Sequence, residues 1–307
     1  MTGVTVRVPA KLNLQLAVGP PRADGYHDLV TVFHAVSLFD QVMVEPAGRD
    51  GVTVTGEGAD RMPAEHDNLA LRAVAALRAT VRDRGAVHVT IAKKIPVAAG
   101  LAGGSADAAA ALVACNELWE GGLSHQQLAT IAATVGSDVA FALLGGTAVG
   151  RGRGDQLTSA LAPATQYHWV LAFADGQLST PAVYAALDRL RGERGDGAGE
   201  IAQPELDTAL MSALRTGNAA RVGQRLTNDL QPAAVSLFPA LRKTLTAGLE
   251  LGALGALVAG SGPTCVFLAA NPERALELAV SLSGAGVCRS VARVSGPAPG
   301  AAVVAAG

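Results

Sequence analysis

Residues 96–107 read Pro-Val-Ala-Ala-Gly-Leu-Ala-Gly-Gly-Ser-Ala-Asp, and an alanine-rich stretch, Ala108 to Cys115, follows at once. Glycines at 100, 103 and 104 let the backbone approach a ligand closely, and the alanines favour a helix. Ser105 stands where a helix N-cap is expected. Free N–H groups at a helix start attract anions, so loop and helix together form a candidate phosphate cradle. No Gly-Lys-Ser/Thr closes the loop as in a Walker A segment, and the Gly-x-x-Gly-Gly-Ser spacing is not a dinucleotide fingerprint. An ordinary strand-to-helix turn would carry similar residues, so this segment alone leaves both readings open.

Such a loop needs a strand before it and a helix after it. Val87 to Ile91 reads as the strand, and the helix is expected to run to about Trp119. Upstream, Val4 to Pro9 alternates as a strand does, with Lys11 just after it, and Gly19 to Gly25 has turn composition. Val30 to Val36, Gln41 to Glu45 and Val52 to Thr55 read as short strands, and Asp67 as the cap of a helix from Asn68 to about Arg82. Ser124 is expected to cap a helix ending at Gly136, and Ser137-Asp138 opens a second apolar run where Asp138 could itself be an N-cap. Gly145 to Gly154, with Arg151 and Arg153, reads as a hairpin turn rather than a nucleic-acid segment.

In the second half, Trp169 to Ala174 is a strand and Thr180-Pro181 opens a helix to Leu190. Arg191 to Gln203, rich in glycine and charge without a period, reads as a mobile loop. Helical patterns cover Pro204 to Arg225, Pro239 to Leu251 and Pro272 to Leu282. Strands are expected at Ala256 to Ala259, Thr264 to Ala269 and Val287 to Val294, the first two joined by the turn Gly260-Ser-Gly-Pro263. No internal repeat is visible.

At 307 residues, half of them hydrophobic and 16% charged, the chain has material for two domains or one large one. A net charge of −2 gives no support for bulk binding to nucleic acid or to a membrane. Cys115, Cys265 and Cys288 are far apart and odd in number, which reads as buried thiols rather than a disulfide framework or metal knuckle. The first eight residues lack a signal-peptide core, and the apolar runs are too short to span a bilayer, so a soluble, cytoplasmic protein is expected.

Four segments occur in a fixed order: Pro-Ala-Lys-Leu-Asn (9–13), Asp-Gly-Tyr-His (24–27), the glycine loop (96–107) and Gly-Ser-Asp-Val (136–139). Gly-Ser-Gly-Pro-Thr (260–264) follows late in the chain. In this the sequence resembles the GHMP kinase superfamily, and within it the branch that phosphorylates a cytidine-diphosphate-linked methylerythritol. The resemblance spans nearly the whole chain. Pro-x-Lys-x-Asn with Asp-Gly-Tyr-His is its specific part, because the glycine loop alone would fit any superfamily member.

The resemblance implies an α+β fold of two domains, here 1–160 and 161–307, the first like part of ribosomal protein S5 and the second a GHMP C-terminal domain. It implies transfer of the ATP γ-phosphoryl group to the substrate's 2-hydroxyl, in the non-mevalonate isoprenoid route. Lys11 and Asp138 match the catalytic couple, the Asp taking or orienting the hydroxyl proton while the Lys holds that site; alone, each would read as a solvated surface charge. Asn13 is expected to support Lys11 or the substrate. Tyr26 and His27 match positions that read the cytosine, Phe33 and Tyr184 match further pocket walls, and Thr180 and Pro181 lie on the sugar-phosphate path. On the ATP side the resemblance points to Pro96, Val97, Ala98, Ala99, Gly100, Leu101, Ala102, Gly103, Gly104, Ser105 and Ala106. Asn68 is a further candidate there, although helix capping also suits it.

Two departures from the usual family loop, Gly-Leu-Gly-Gly-Gly-Ser-Ser-Asn, carry expectations. Ala102 replaces a glycine, which requires a negative φ there. Asp107, placed in the first helical turn, suits the helix dipole but would repel triphosphate unless Mg²⁺ or geometry intervenes, so either Ser105 or Asp107 is the candidate contact to Mg²⁺. The expected partner is a small molecule, with neither nucleic acid nor membrane involved, and the chain a monomer or weak homodimer. Competing readings are another GHMP kinase of homoserine or mevalonate type, and a nucleotide-binding module without turnover. A redox or metal protein is disfavoured by the scattered cysteines.

Overall fold

The computed structural model describes residues 3–61, 67–81, 84–160, 165–195 and 201–304. Two long strands dominate the first half: β1 (Val4–Pro21) and β2 (His27–Pro46), antiparallel over almost their whole length. The short strands expected at 30–36 and 41–45 are thus parts of one strand, and β1 does not stop before Lys11. The pairing passes Pro9 by a register shift between Pro9 and Ala10, the usual way a strand absorbs a residue without an N–H. The turn that joins β1 to β2 is correspondingly tighter than the 19–25 segment expected for it.

β3 (Gly51–Gly56), a short 3₁₀ turn (Ala59–Arg61), α1 (Leu69–Val81) and β4 (Val87–Lys93) follow. The cap of α1 is Asn68, whose Oδ1 accepts the Ala70 amide at 2.9 Å, rather than Asp67. Next come α2 (Gly103–Leu118), α3 (His125–Val135), α4 (Ser137–Leu144) and the hairpin β5 (Thr147–Gly152) with β6 (Gln156–Ser159). Ser124 caps α3 through a capping box with Gln127. The N-cap of α4 is Gly136, so Asp138 sits inside the first turn and is not the cap. Ala106, Ala108 to Ala111 and Ala114 on α2 are wholly buried; small side chains all round let this helix lie against sheet and neighbouring helices at once.

The second half runs β7 (Tyr167–Phe173), α5 (Thr180–Glu193), α6 (Thr208–Thr216), α7 (Ala219–Gly223), β8 (Thr227–Asn228), α8 (Gln231–Leu237), α9 (Ala240–Glu250), β9 (Gly255–Val258), β10 (Cys265–Ala269), α10 (Pro272–Gly284), β11 (Ser290–Gly296) and β12 (Ala302–Val303). The helix expected over 204–225 is broken at Gly217, whose φ of 67° ends α6 in a left-handed cap. Of the segment expected to be a mobile loop, Arg191 to Glu193 are helical, and Arg191 donates to the carbonyls of Val18 and Gly19. Residues 196–200 of it lie outside the described residues.

Two sheets result. The larger has the order β12-β1-β2-β4-β3, with β5 on β2, β6 on β5 and β8 on β1; the smaller is β11-β7-β10-β9. β7 opens the second sheet, yet β8 and β12 return to the first, and a shared core joins α1, α2 and β1 to Trp169, Leu171, Val266 and Leu268. The alternate residues Val170 and Ala172 face a second core beneath α5, α8, α9 and α10. Cys115 and Cys265 are buried thiols; Cys288 is half-buried.

Candidate active site

A cleft of about 790 Å³ is lined from both halves of the chain. Helix starts without a side-chain cap face it: Gly103 to Ser105 of α2, Ser137 and Asp138 of α4, and Thr180 and Pro181 of α5. Each presents the positive end of a helix dipole and first-turn N–H groups without a partner in the helix, Pro181 alone having none to offer, so the cleft favours an anion before any side chain is counted.

The glycine loop forms one wall, with Ala98, Ala99, Gly100 and Ala102 lining it beside the α2 start. Gly100 has φ 79°, and a Cβ there would overlap the carbonyl oxygen of Ala259. The loop therefore packs backbone to backbone against the 260–263 turn, a contact only glycine allows. Ala102 does not keep the negative φ expected of it. It sits at φ 58° and ψ 35° as the N-cap of α2, and Ala98 is also left-handed at φ 52°. For alanine this conformation costs roughly 1–2 kcal/mol, which the surrounding contacts offset. Ser105 is not the cap; it is the third residue of the helix and turns its side of the first turn to the cleft.

Not every residue expected on the ATP side lines the cleft. Leu101 and Ala106 are core, though the Leu101 carbonyl accepts the Lys11 amide at 3.2 Å. Pro96 and Val97 border a separate small cavity of about 30 Å³ beside Glu57 and Arg289. Asn68 is buried as the α1 cap. Asp107 departs furthest from expectation. It lies in the second turn of α2, is buried and turned from the cleft, and accepts from Lys93 Nζ at 2.7 Å. The carboxylate of Asp40 takes the same ammonium at 2.5 Å. Burial, with Asp40 close by, pushes the Asp107 carboxyl well above the usual carboxylate range despite Lys93. Asp107 thus neither caps the helix nor lines the glycine-loop wall.

At the floor, Lys11 Nζ donates to Asn13 Oδ1 at 2.6 Å and lies 3.7 Å from Asp138 Oδ2. Asn13 Nδ2 donates to Thr31 Oγ1 at 2.8 Å, and Thr31 in turn donates to the Gln15 carbonyl at 2.7 Å. This chain of bonds fixes the ammonium between strand and helix. Phe33, stacked on Phe141 with centroids 4.8 Å apart, backs it with its ring 5.6 Å from Nζ. The opposite wall is aromatic. His27 Nε2 bonds Asp188 Oδ1 at 2.9 Å, and its ring lies 5.1 Å from that of Tyr184. Burial, with Asp138 nearby, pushes the Tyr184 hydroxyl up to about 12, so it stays a neutral donor. Tyr26, more than half exposed, stands at the mouth under the Arg153 guanidinium, 4.8 Å from its ring.

Four contributors were not anticipated as site residues. Gly260 and Ser261 line the cleft, Ser261 Oγ lying 2.9 Å from Thr180 Oγ1, and a Cβ at Gly260 would come within 3.4 Å of Lys11 Nζ and Asn13 Oδ1. The Gly-Ser-Gly-Pro-Thr segment was the available signal for them. Arg153 does sit in the β5–β6 turn as expected, but it also faces the cleft. Asp188 shows no sequence signal beyond its helix.

Residues 68–146 match the GHMP kinases N terminal domain and residues 210–288 the GHMP kinases C terminal domain, together more than half of the chain. The chain belongs to the GHMP kinases. Over 99% of its length it is 54% identical to 4-diphosphocytidyl-2-C-methyl-D-erythritol kinase of Thermobifida fusca, covering 99% of that protein. It is also 54% identical to the Mycolicibacterium smegmatis protein of the same name, over 98% of this chain and 92% of that one. A crystal structure of 4-(cytidine 5'-diphospho)-2C-methyl-D-erythritol kinase superposes with a TM-score of 0.75 at 33% identity, covering 94% of this chain and 98% of that one. Homoserine kinase from Cytophaga hutchinsonii, at TM-score 0.73 but 18% identity over 99% and 98% of the two chains, shares the fold. The α+β architecture expected from the sequence is thus the GHMP kinase fold.

Proposed function

We propose that this GHMP kinase transfers the γ-phosphoryl group of ATP to the 2-hydroxyl of 4-diphosphocytidyl-2-C-methyl-D-erythritol, a step of the non-mevalonate route to isoprenoids. The observation that carries the reading is near full-length identity of 54% to relatives of that name, in a chain whose Lys11 and Asp138 share a cleft with the glycine loop. Backbone amides of the loop and of the α2 start hold the triphosphate. The substrate hydroxyl sits beside Asp138, which accepts its proton as the oxygen attacks the γ-phosphorus. The bond to the ADP oxygen breaks on the opposite side, and ADP leaves. Lys11, held by Asn13, steadies the reacting oxygens by its charge, which is most of what phosphoryl transfer asks of a protein.

The donor set suits Mg²⁺ carried on the phosphates. Ser105 and Asp138 are oxygen-bearing side chains lining that part of the cleft, and among the described residues there is no cluster of three or more acidic, His or Cys groups for a protein-held metal. Tyr26, His27 and Tyr184 take the cytosine end, and Thr180 and Pro181 border the diphosphate path. The chain works in the cytoplasm as a monomer or weak homodimer on a small molecule alone. Its net charge of −2 supplies no bulk attraction to nucleic acid or to an acidic membrane surface.

The test is ADP release from the purified chain with ATP and, in turn, the cytidine diphosphate substrate, the free polyol, homoserine and mevalonate. Turnover confined to the first is expected. Equal turnover of homoserine or mevalonate would overturn the substrate, and ATP turnover with none of the acceptors would overturn the kinase.

A further inference from the structure

Behind the phosphate wall lies a buried ionic group that the proposed chemistry does not use. Lys93, the last residue of β4, is 4% exposed, and its two carboxylate partners, Asp40 and Asp107, are at 0% and 1%. Asp40, on β2, uses both its oxygens: Oδ2 takes Lys93 Nζ at 2.5 Å, while Oδ1 accepts the amides of Lys94 at 2.6 Å and Ile95 at 2.8 Å. Those two amides are where the chain leaves the sheet for the glycine loop. On its other side Lys93 reaches Asp107 Oδ2, on the helix that the loop feeds. Its ammonium also lies 3.0 Å from where a Cβ on Gly103 would stand, and Gly103 lines the cleft.

Such a group is costly. Burying three ionisable side chains is weak evidence for stability, because desolvation offsets most of the attraction, and apolar residues of similar size often serve as well. Asp107 Oδ1 is moreover buried without a hydrogen-bond partner. The geometry gives the group another use. One ammonium ties the point where the loop begins to the helix where it ends. Between the ties lies a short segment that carries two left-handed alanines, a conformation that persists only under outside constraint.

We propose that Lys93, through Asp40 and Asp107, is a positioning residue for ATP: it fixes the two ends of the glycine loop relative to each other, so that the loop amides meet the triphosphate without Lys93 touching it. The proposal rests on the kinase reading above and adds to it residues that line no part of the cleft. A predefined cradle binds more tightly because the ordering cost is already met in the free protein.

The experiment compares Lys93→Met, Asp107→Ala and Asp107→Asn in the full chain. For each, KM for ATP and for the cytidine substrate are measured, with calorimetric binding of a non-hydrolysable ATP analogue and thermal unfolding. Lys93→Met strands two buried carboxylates and is the variant at risk of not folding. Asp107→Ala leaves the Lys93–Asp40 pair intact and cuts only the tie to α2. The expected result is a KM for ATP raised tenfold or more in Lys93→Met and several-fold in Asp107→Ala, with KM for the cytidine substrate within about twofold. Asp107→Asn, which keeps an oxygen for Lys93, recovers most of the affinity lost in Asp107→Ala. Folded Asp107→Ala with wild-type affinity for the analogue overturns the proposal, as does an equal rise in both KM values. A wild-type chain that fails to bind the analogue overturns the kinase reading instead.

Discussion

The two walls of the cleft are built on opposite plans. The glycine-loop wall is backbone: Ala98 to Gly100 and Ala102 to Ser105, running into the first turn of helix α2 with buried groups behind them. The opposite wall is side chain: Tyr26 from the turn before β2 and His27 from its start, Arg153 from a hairpin, Tyr184 and Asp188 from α5, brought together by tertiary packing. A backbone wall recognises what all nucleoside triphosphates share and depends on conformation. A side-chain wall recognises what distinguishes one acceptor from another and depends on residue identity.

The floor between the walls sets the largest expected effect. Asp138→Asn and Lys11→Ala should each lower kcat by about 10² or more, the usual loss for a positioned proton acceptor or charge-stabilising donor, with KM for ATP nearly unchanged. Steady-state kinetics checks this, and near wild-type turnover by either variant removes it from the floor. Next is Gly100→Ala. It places a methyl on the Ala259 carbonyl in a left-handed residue, so we expect a loss of about 2–3 kcal/mol in stability and a marked rise in KM for ATP. Denaturant unfolding beside ATP kinetics measures both; unchanged ATP kinetics would mean that the wall does not depend on backbone shape.

Tyr184→Ala probes the other wall. Loss of a half-buried ring that packs on His27 should raise KM for the cytidine substrate about tenfold and leave that for ATP alone, taking base–aromatic stacking at ~1–3 kcal/mol as the guide. A comparable rise in both values would erase the contrast between the walls. The smallest effect belongs to Ala102→Gly. It relieves left-handed strain at the α2 cap but adds freedom to the unfolded chain, for a net gain of about 1 kcal/mol or less, read as a small rise in Tm.

The same contrast governs how much could be read from the sequence. The cradle was legible because it is local: glycine spacing and an alanine run announce loop and helix, and capping residues such as Ser124 mark their own positions. Some local readings failed too, such as Ser105 and Asp67 as caps and a negative φ at Ala102, but most of what failed depended on distant partners. Asp107 looked like a helix-dipole residue because Lys93, fourteen positions earlier on another element, gives no local hint of reaching it. Lys11 seemed to follow a strand because Pro9 resembles a stop, whereas β2 carries the pairing past it. Arg153 read correctly as a turn residue, but the register of β2 on β5 decides that it faces the cleft.

The strand that carries Lys11 and Asn13 has its outer neighbours late in the chain: β8 pairs with it at Gln15 and Leu16, and β12 at Val6 and Arg7. On a ribosome, β1 and β2 can zip together early, but that side of the sheet is met by β8 only at residues 227–228 and by β12 only at 302–303. Contacts of such sequence separation form slowly, since the loop they close must lose its freedom first. Synthesis thus builds the cradle long before it secures the floor, and a nascent chain interrupted ahead of β12 would carry the phosphate loop on a sheet with an unprotected edge.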